Sequence, residues 1–239
     1  MSLTLFHRRT LWFPTRLGWA CILLALLAPC LLWWFAGESF LCVTDRQPGA
    51  VLVVEGWIGN EALRGAADEF RRSGAPLVVT TGGLSNERWS EKRYSYADMA
   101  RYELIRAGVP ADRILVAPTV HVETQRTFQM AAQARLIILE KAPETSAINV
   151  FTIGPHARRS RLVFEKVFPK GIKVGVVSWV PSTYANQRWW HSSDRADELL
   201  KETVCVVLEA ALNSGRASNS VAENAPRDGG SVPAAGTTY

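Results

Sequence analysis

The chain has 239 residues, of which 48% are hydrophobic and 21% charged, and a net charge of +5. Those proportions belong to a globular chain of one or two domains and exclude a largely disordered protein, a collagen-like repeat and a polytopic transporter. The charge is uneven. Residues 1–16 hold Arg8, Arg9 and Arg16 and no acid, which leaves 24 basic against 22 acidic residues elsewhere, so the folded part lacks the basic concentration of a nucleic-acid binder and no nucleic-acid partner is expected.

The first element is an apolar run, Leu17 to Ala36 (LGWACILLALLAPCLLWWFA), with no charged residue over 20 positions. At 1.5 Å per residue a helix of that length covers about 30 Å, the hydrocarbon thickness of a bilayer. Trp12 and Trp19 lie near one end and Trp33, Trp34 and Phe35 at the other, as in interfacial aromatic belts. The competing reading is a cleaved signal peptide, with a shorter apolar core and a small-x-small site. Here Trp33, Trp34 and Phe35 crowd the cleavage zone, and Pro29 before Cys30 argues against a lipoprotein site. The expectation is a cytoplasmic basic N-terminus over 1–16, a single transmembrane anchor over 17–36 and a linker over 37–49. By the positive-inside rule, everything beyond about residue 37 lies outside the cytoplasm.

From Ala50 onward, short β-rich runs alternate with amphipathic segments. Strands are predicted at Ala50–Val54, Leu77–Thr81, Arg113–Ala117, Ile148–Ile153 and Lys173–Ser178. Their centres are Val, Ile and Leu without polar alternation, the pattern of parallel strands buried on both faces. Helices are predicted at 60–73, 95–107, 123–140, 156–168 and 193–212. Asn60 is read as the cap of the first, Ser95 with Asp98 as a capping box for the second, and Ser193 or Asp194 as the cap of the last. Gly74 and Gly108 stand where C-terminal glycines belong. The fold class is α/β, a Rossmann-like, doubly wound, mostly parallel five-stranded sheet over 50–213, preceded by one transmembrane helix. Residues 214–239, rich in Ser, Ala, Gly, Asn and Pro, read as a disordered tail. Cys21, Cys30, Cys42 and Cys205 show no CxxC spacing; Cys42 and Cys205 are either a pair or two unrelated thiols.

Ligands of open α/β sheets bind beyond the carboxyl ends of the strands. Three such ends carry candidate residues: Glu55-Gly56-Trp57, Thr81-Gly82-Gly83, and Gly154 through Arg161 (GPHARRSR). His156 opens a helix, where free N–H groups favour an anion, and Arg159 lies one turn on, with Arg158 and Arg161 adjacent. Cations at a helix N-terminus oppose the dipole, so this cluster calls for a compensating anion, although a solvated basic face is the plainer alternative. Thr81, Gly82 and Gly83 form a small-residue turn that lets backbone approach an oxygen ligand. Glu55 serves as a general base or a metal ligand, or else as the ion-pair partner of Arg64 or Arg159. Arg126 and Thr127, after Glu123-Thr124, are placed near the same rim. Trp189-Trp190-His191 reads as a core lid, a sugar-stacking surface or a membrane-surface element. With His121 and His191 in loops, no metal set has the required spacing, and no cofactor is assigned. GxGxxG, P-loop, GxSxG and HExxH motifs are absent.

The ordered set Val51–Gly56, Arg64, Thr81-Gly82-Gly83, Gly108-Val109-Pro110 before Ile114, Thr124, and His156-x-x-Arg159 resembles the YdcF-like family, in particular its membrane-anchored SanA- and ElyC-type branch. The resemblance covers about residues 50–210. It departs from the family pattern at Ser95-Tyr96-Ala97, where Ser-Glu-Ala is common, and at Thr124-Gln125-Arg126, where Thr-x-Asn is common, marking a diverged subgroup. The resemblance implies a Rossmann-like domain in the periplasm, anchored in a bacterial inner membrane, and a role in envelope integrity or lipid-carrier metabolism. The leading functional expectation is binding, or processing, of an anionic, phosphorylated, lipid-carrier-linked precursor. His156 and Glu55 are then the catalytic candidates, and Thr81, Gly82, Gly83, Arg159, Arg64, Arg126 and Gly56 the substrate-binding ones. The alternative is a non-catalytic module that organises envelope-synthesis proteins.

Overall fold

The computed structural model describes residues 13–84, 94–119, 125–184 and 187–212. The tail expected at 214–239, and His121, Glu123 and Thr124, lie outside the described residues.

The chain opens with a 26-residue helix, α1 (Arg16–Leu41), started by Thr15, whose side chain accepts a 3.1 Å bond from the Gly18 N–H. It is the one helix among the described residues long and apolar enough to cross a membrane. Its Leu17, Trp19, Leu23, Leu24, Leu26, Leu27, Leu31 and Leu32 are exposed, a surface unsuited to water. The helix runs five residues beyond the expected span because residues 37–41 find protein partners. Glu38 pairs with Arg195, Leu41 is fully buried, and the Arg158 guanidinium stacks 3.7 Å from the Phe40 ring centroid.

The expected linker is therefore helical to Leu41, and its remainder is fastened to the domain. Asp45 exchanges two 2.8 Å backbone bonds with Val176, and the Asn149 side chain brackets Gln47 at 2.8 and 2.9 Å. Trp189 and Trp190 close the same joint. The Trp189 indole donates to the Trp34 carbonyl at 3.0 Å, and Trp190 stacks on Trp34 with centroids 5.4 Å apart. The tryptophan pair thus clamps the domain to its own N-terminal helix.

The domain is an all-parallel sheet of β1 (Val51–Glu55), β2 (Val78–Gly82), β3 (Ile114–Pro118), β4 (Ala147–Ile153) and β5 (Lys173–Trp179), in the order β3-β2-β1-β4-β5. The helices are α2 (Asn60–Ser73), α3 (Tyr96–Arg106), α4 (Arg126–Lys141), α5 (His156–Val167) and α6 (Ser193–Leu212). Strand parity sorts the core into two layers. Val51, Val53, Val79, Ile148 and Val150 face α4 and α5, whereas Leu52, Val54, Val78 and Phe151 face α2 and α3. Ser95 caps α3, accepting from the Asp98 N–H at 3.0 Å. At α2, Gly59 takes the capping position with φ 85° and Asn60 is already helical, because the tight turn after β1 needs a positive φ. Gly74 ends α2 in the left-handed conformation.

Candidate functional site

Strand parity also decides where Glu55 goes. As the residue after Val51 and Val53 on the same face, it points toward α5 at the carboxyl end of β1. It is fully buried, and its carboxylate accepts from the Thr152 hydroxyl at 2.5 Å and the Ser160 hydroxyl at 3.0 Å. Arg64 lies exposed on α2, donating to the Asn60 carbonyl at 3.3 Å, and neither it nor Arg159 bonds Glu55. Beside Glu55 stands His156, with Nε2 3.4 Å from Oε2. That separation is beyond hydrogen-bond geometry, and Nε2 is buried with no hydrogen-bond partner among the described residues.

The other ring nitrogen is firmly held. His156 Nδ1 lies 3.0 Å from Glu202 Oε1, an atom of α6. Nδ1 also lies 2.8 Å from Arg159 Nη2, so it stands between a group that only donates and a carboxylate that only accepts, and either ring nitrogen can carry the proton of the neutral imidazole. Arg159 completes the group, donating to Glu202 at 2.7 and 2.9 Å and to the Thr127 hydroxyl at 3.1 Å. Burial pushes the Glu202 pKa upward, but hydrogen bonds from Arg159 and His156 outweigh it and bring it down to about 2. Trp57 packs edge-on against His156, with centroids 5.0 Å apart. When the ring takes up a second proton it becomes an imidazolium between two carboxylates, Glu55 and Glu202, which is the charge balance a general base needs.

The compensating anion for the arginine cluster is thus, for Arg159, the chain's own Glu202. Sequence reading missed Glu202 because its partners are 43 and 46 residues away, on a different helix. The only signal was a buried-face carboxylate within the amphipathic pattern of 193–212. Arg158 donates to the Phe40 carbonyl at 2.5 Å, and Arg161 pairs with Asp45 and Glu165. Arg126 is exposed at the start of α4 and makes no ion pair or hydrogen bond among the described residues. His191 is exposed in a short 3-10 turn, Trp189–His191.

The glycines do packing work. A side chain at Gly56 strikes the Tyr96 carbonyl, and one at Gly82 strikes the Tyr96 Cβ. Both let α3 approach the sheet. The Thr81 hydroxyl turns to the Met130 carbonyl at 3.3 Å, and Gly83 receives the Tyr96 N–H at 2.8 Å. The structure therefore brings together Glu55, His156, Arg159 and Thr127. It sets Gly56, Thr81, Gly82 and Gly83 on the neighbouring strand ends and leaves Arg64 on the α2 surface.

Between β1 and β4, where the chain's winding reverses, opens a cleft of about 350 Å³. It is walled by the first turn of α2, the ends of β4 and β5, Cys42, and Glu198 and Arg195 of α6. Such a reversal point is the usual ligand position of open α/β sheets. Glu198 makes no hydrogen bond among the described residues, and burial, opposed by His156 and reinforced by Glu202, holds its pKa up. The thiol of Cys42 is pushed up to about 12 by burial and by Glu38 and Glu198. Cys42 and Cys205 are free thiols. No group of three or more His, Cys, Asp or Glu side chains among the described residues converges to hold a metal ion. In comparisons with protein-family models, curated proteins and solved structures, nothing matches this chain.

Proposed function

We propose that this chain is a single-pass protein of a bacterial inner membrane, with its N-terminus in the cytoplasm and its α/β domain in the periplasm. There it acts in envelope biogenesis or integrity on an anionic, phosphorylated precursor carried by a membrane lipid. Membership of the YdcF-like family is part of the same proposal.

One observation carries it: the carboxyl rim of the sheet is turned toward the anchor. α1 delivers the chain at Cys42 directly beside Gly154, Trp179 and Val180, at the ends of β4 and β5. From the tryptophan level at Trp34 to Cys42 is eight helical residues, about 12 Å. A rim at that height meets a lipid-borne headgroup without the carrier leaving the bilayer. The clamp by Trp189 and Arg195 keeps the height fixed. The anion is met by Arg126, a cation with no partner among the described residues, while His156 and Glu55 supply the proton chemistry.

The test is thermal unfolding of the full chain in nanodiscs with and without polyprenyl phosphate. A ligand that binds only the folded state raises the midpoint. The expected result is a rise for the wild type, kept in His156→Gln and lost in Arg126→Ala. Equal midpoints with and without the lipid phosphate overturn the reading.

The non-catalytic alternative has one observation of its own. Arg159 spends its donors on Glu202 and Thr127, which is what a purely structural fastening of α6 requires. It predicts that His156→Gln complements a deletion strain as well as the wild type does.

A further inference from the structure

The outer face of α6 has no partner among the described residues. Leu200, Val204, Val207 and Leu208 are 56, 58, 60 and 49% exposed, and Ala211 is exposed as well. At 100° per residue these five positions fall within an arc of about 100°, opposite the buried Leu199, Glu202 and Val206. Leu200, Val204, Val207 and Ala211 follow a 4-3-4 spacing, the a/d seam of a two-helix coil. Elsewhere among the described residues of the domain the exposed large apolar residues are scattered: Tyr94 before α3, Tyr102 and Ile105 on α3, Leu136 and Leu139 on α4, Val180 after β5.

We infer that this stripe is the contact between two copies of the chain, with α6 pairing to α6 in parallel about an axis normal to the membrane. The inference rests on the reading of α1 as a membrane span, and is independent of the proposed substrate. Two observations select this occupant. First, α6 runs beside the end of α1 in the same direction: Trp190 stacks on Trp34, Arg195 pairs with Glu38, and Glu198 and Leu199 share the cleft wall with Cys42. Two copies anchored in one bilayer differ only by a rotation about its normal. Helices that rise from the surface then meet in parallel, which is the arrangement an a/d seam requires.

Second, the stripe is carried away from lipid. From Ser193 to Leu208 is about 22 Å along the helix axis, and at a packing angle as steep as 50° to α1 Leu208 still stands about 14 Å above Ser193. The seam begins at Leu200, and Asp197, exposed at the preceding a position, marks its membrane-side end. Three helical turns offer far less than the roughly 800 Å² per partner of a dimer formed from dilute solution. Confinement of both anchors to one membrane raises the effective concentration and makes the smaller contact sufficient.

The test uses the full chain in phosphatidylethanolamine–phosphatidylglycerol vesicles. Alkaline carbonate extraction comes first; release of the chain from the membrane overturns the anchor and this inference with it. In a background with Cys21, Cys30, Cys42 and Cys205 changed to Ala, Val204→Cys or Val207→Cys is oxidised and run on a non-reducing gel. A disulfide-linked dimer is expected from either, at least tenfold faster than from Glu144→Cys on the far side of the domain. Single-molecule photobleaching of the otherwise wild-type chain should show two-step traces that fall at least tenfold in Val204→Arg. That position is exposed, and an unchanged melting curve confirms the variant folds. Single-step traces for the wild type, or dimers indifferent to Val204→Arg, overturn the inference. So does a dimer in which Val204→Cys and Val207→Cys cross-link no faster than Glu144→Cys.

Discussion

Two buried carboxylates, one on α2 and one at the end of β1, are satisfied in opposite ways. Glu69, 3% exposed, is held by two guanidiniums, from Arg46 at 2.7 and 3.2 Å and from Arg72. Glu55, fully buried, has two hydroxyl donors and a histidine nitrogen standing just out of bonding reach. A carboxylate closed off by full opposite charge has no chemistry left to do; it pins the 42–47 segment to α2. A carboxylate held by neutral donors beside a vacant imidazole nitrogen retains a place for one proton. The contrast separates scaffold from site, although both acids are equally hidden from water.

The largest effect that can break this contrast is on stability. Arg159→Ala leaves buried Glu202 with His156 alone in place of a two-pronged guanidinium and should cost about 3–5 kcal/mol in a denaturant melt. Arg46→Ala leaves Arg72 on Glu69 and should cost about 1 kcal/mol. Equal losses would mean that the α5–α6 cluster is no more tightly coupled than the α2 pair. This also means that Arg159→Ala tests the fold before it tests function, so His156→Gln is the cleaner probe.

Next in size is the acid dependence. Glu202 has a pKa of about 2 in the folded domain against an ordinary 4.5. A depressed carboxylate contributes stability that is complete above its unfolded pKa and lost as pH falls through the folded one, here between about pH 4.5 and 2. The contribution is about 3 kcal/mol. Melting curves across that window should lose this much in the wild type and show a flatter slope in Glu202→Gln.

A third measurement sharpens the site side. Glu55→Gln keeps the shape and one of the two acceptor oxygens that Thr152 and Ser160 use, but removes the charge facing His156. Its melting midpoint should fall by no more than one lost hydrogen bond, about 1 kcal/mol, while in vivo complementation drops by about a hundredfold, the usual scale of a lost acid/base partner. Glu69→Gln should do the reverse. The smallest effect concerns Cys42, whose thiol is pushed up to about 12 by burial and by Glu38 and Glu198. At pH 8 it should alkylate about a thousandfold more slowly than an ordinary thiol, read by mass spectrometry in a variant lacking the other three cysteines.

The elements were legible in the sequence because parallel strands and amphipathic helices write their period locally. The helix predicted at 60–73 is Asn60–Ser73, and all five strands lie within one residue of their expected ends. Glu55 and His156 were legible as strand-end and helix-start residues of one rim. Pairing across long sequence separation was not legible. Glu202 sits on a helix whose pattern marks it only as an inward-facing acid, and nothing local says that it fills the place expected for an external anion. The segment after residue 36 read as a linker because GESFLCVTDRQPG has no strong period, while its order comes from Arg195, Val176 and Asn149, far along the chain. Gly56 and Gly82 read as ligand-facing because a strand-end glycine looks the same whether a ligand or Tyr96 occupies the space.

The claim on which the functional account turns is that the carboxyl rim faces the bilayer. It is tested most directly by depth measurement with a spin label in nanodiscs, placed at Val180→Cys beyond the end of β5 or at Lys173→Cys at its start. The two positions are separated by seven strand steps, about 23 Å. The account predicts strong relaxation of the Val180 label by a lipid-headgroup-bound paramagnet and weak relaxation of the Lys173 label; the opposite order would contradict it.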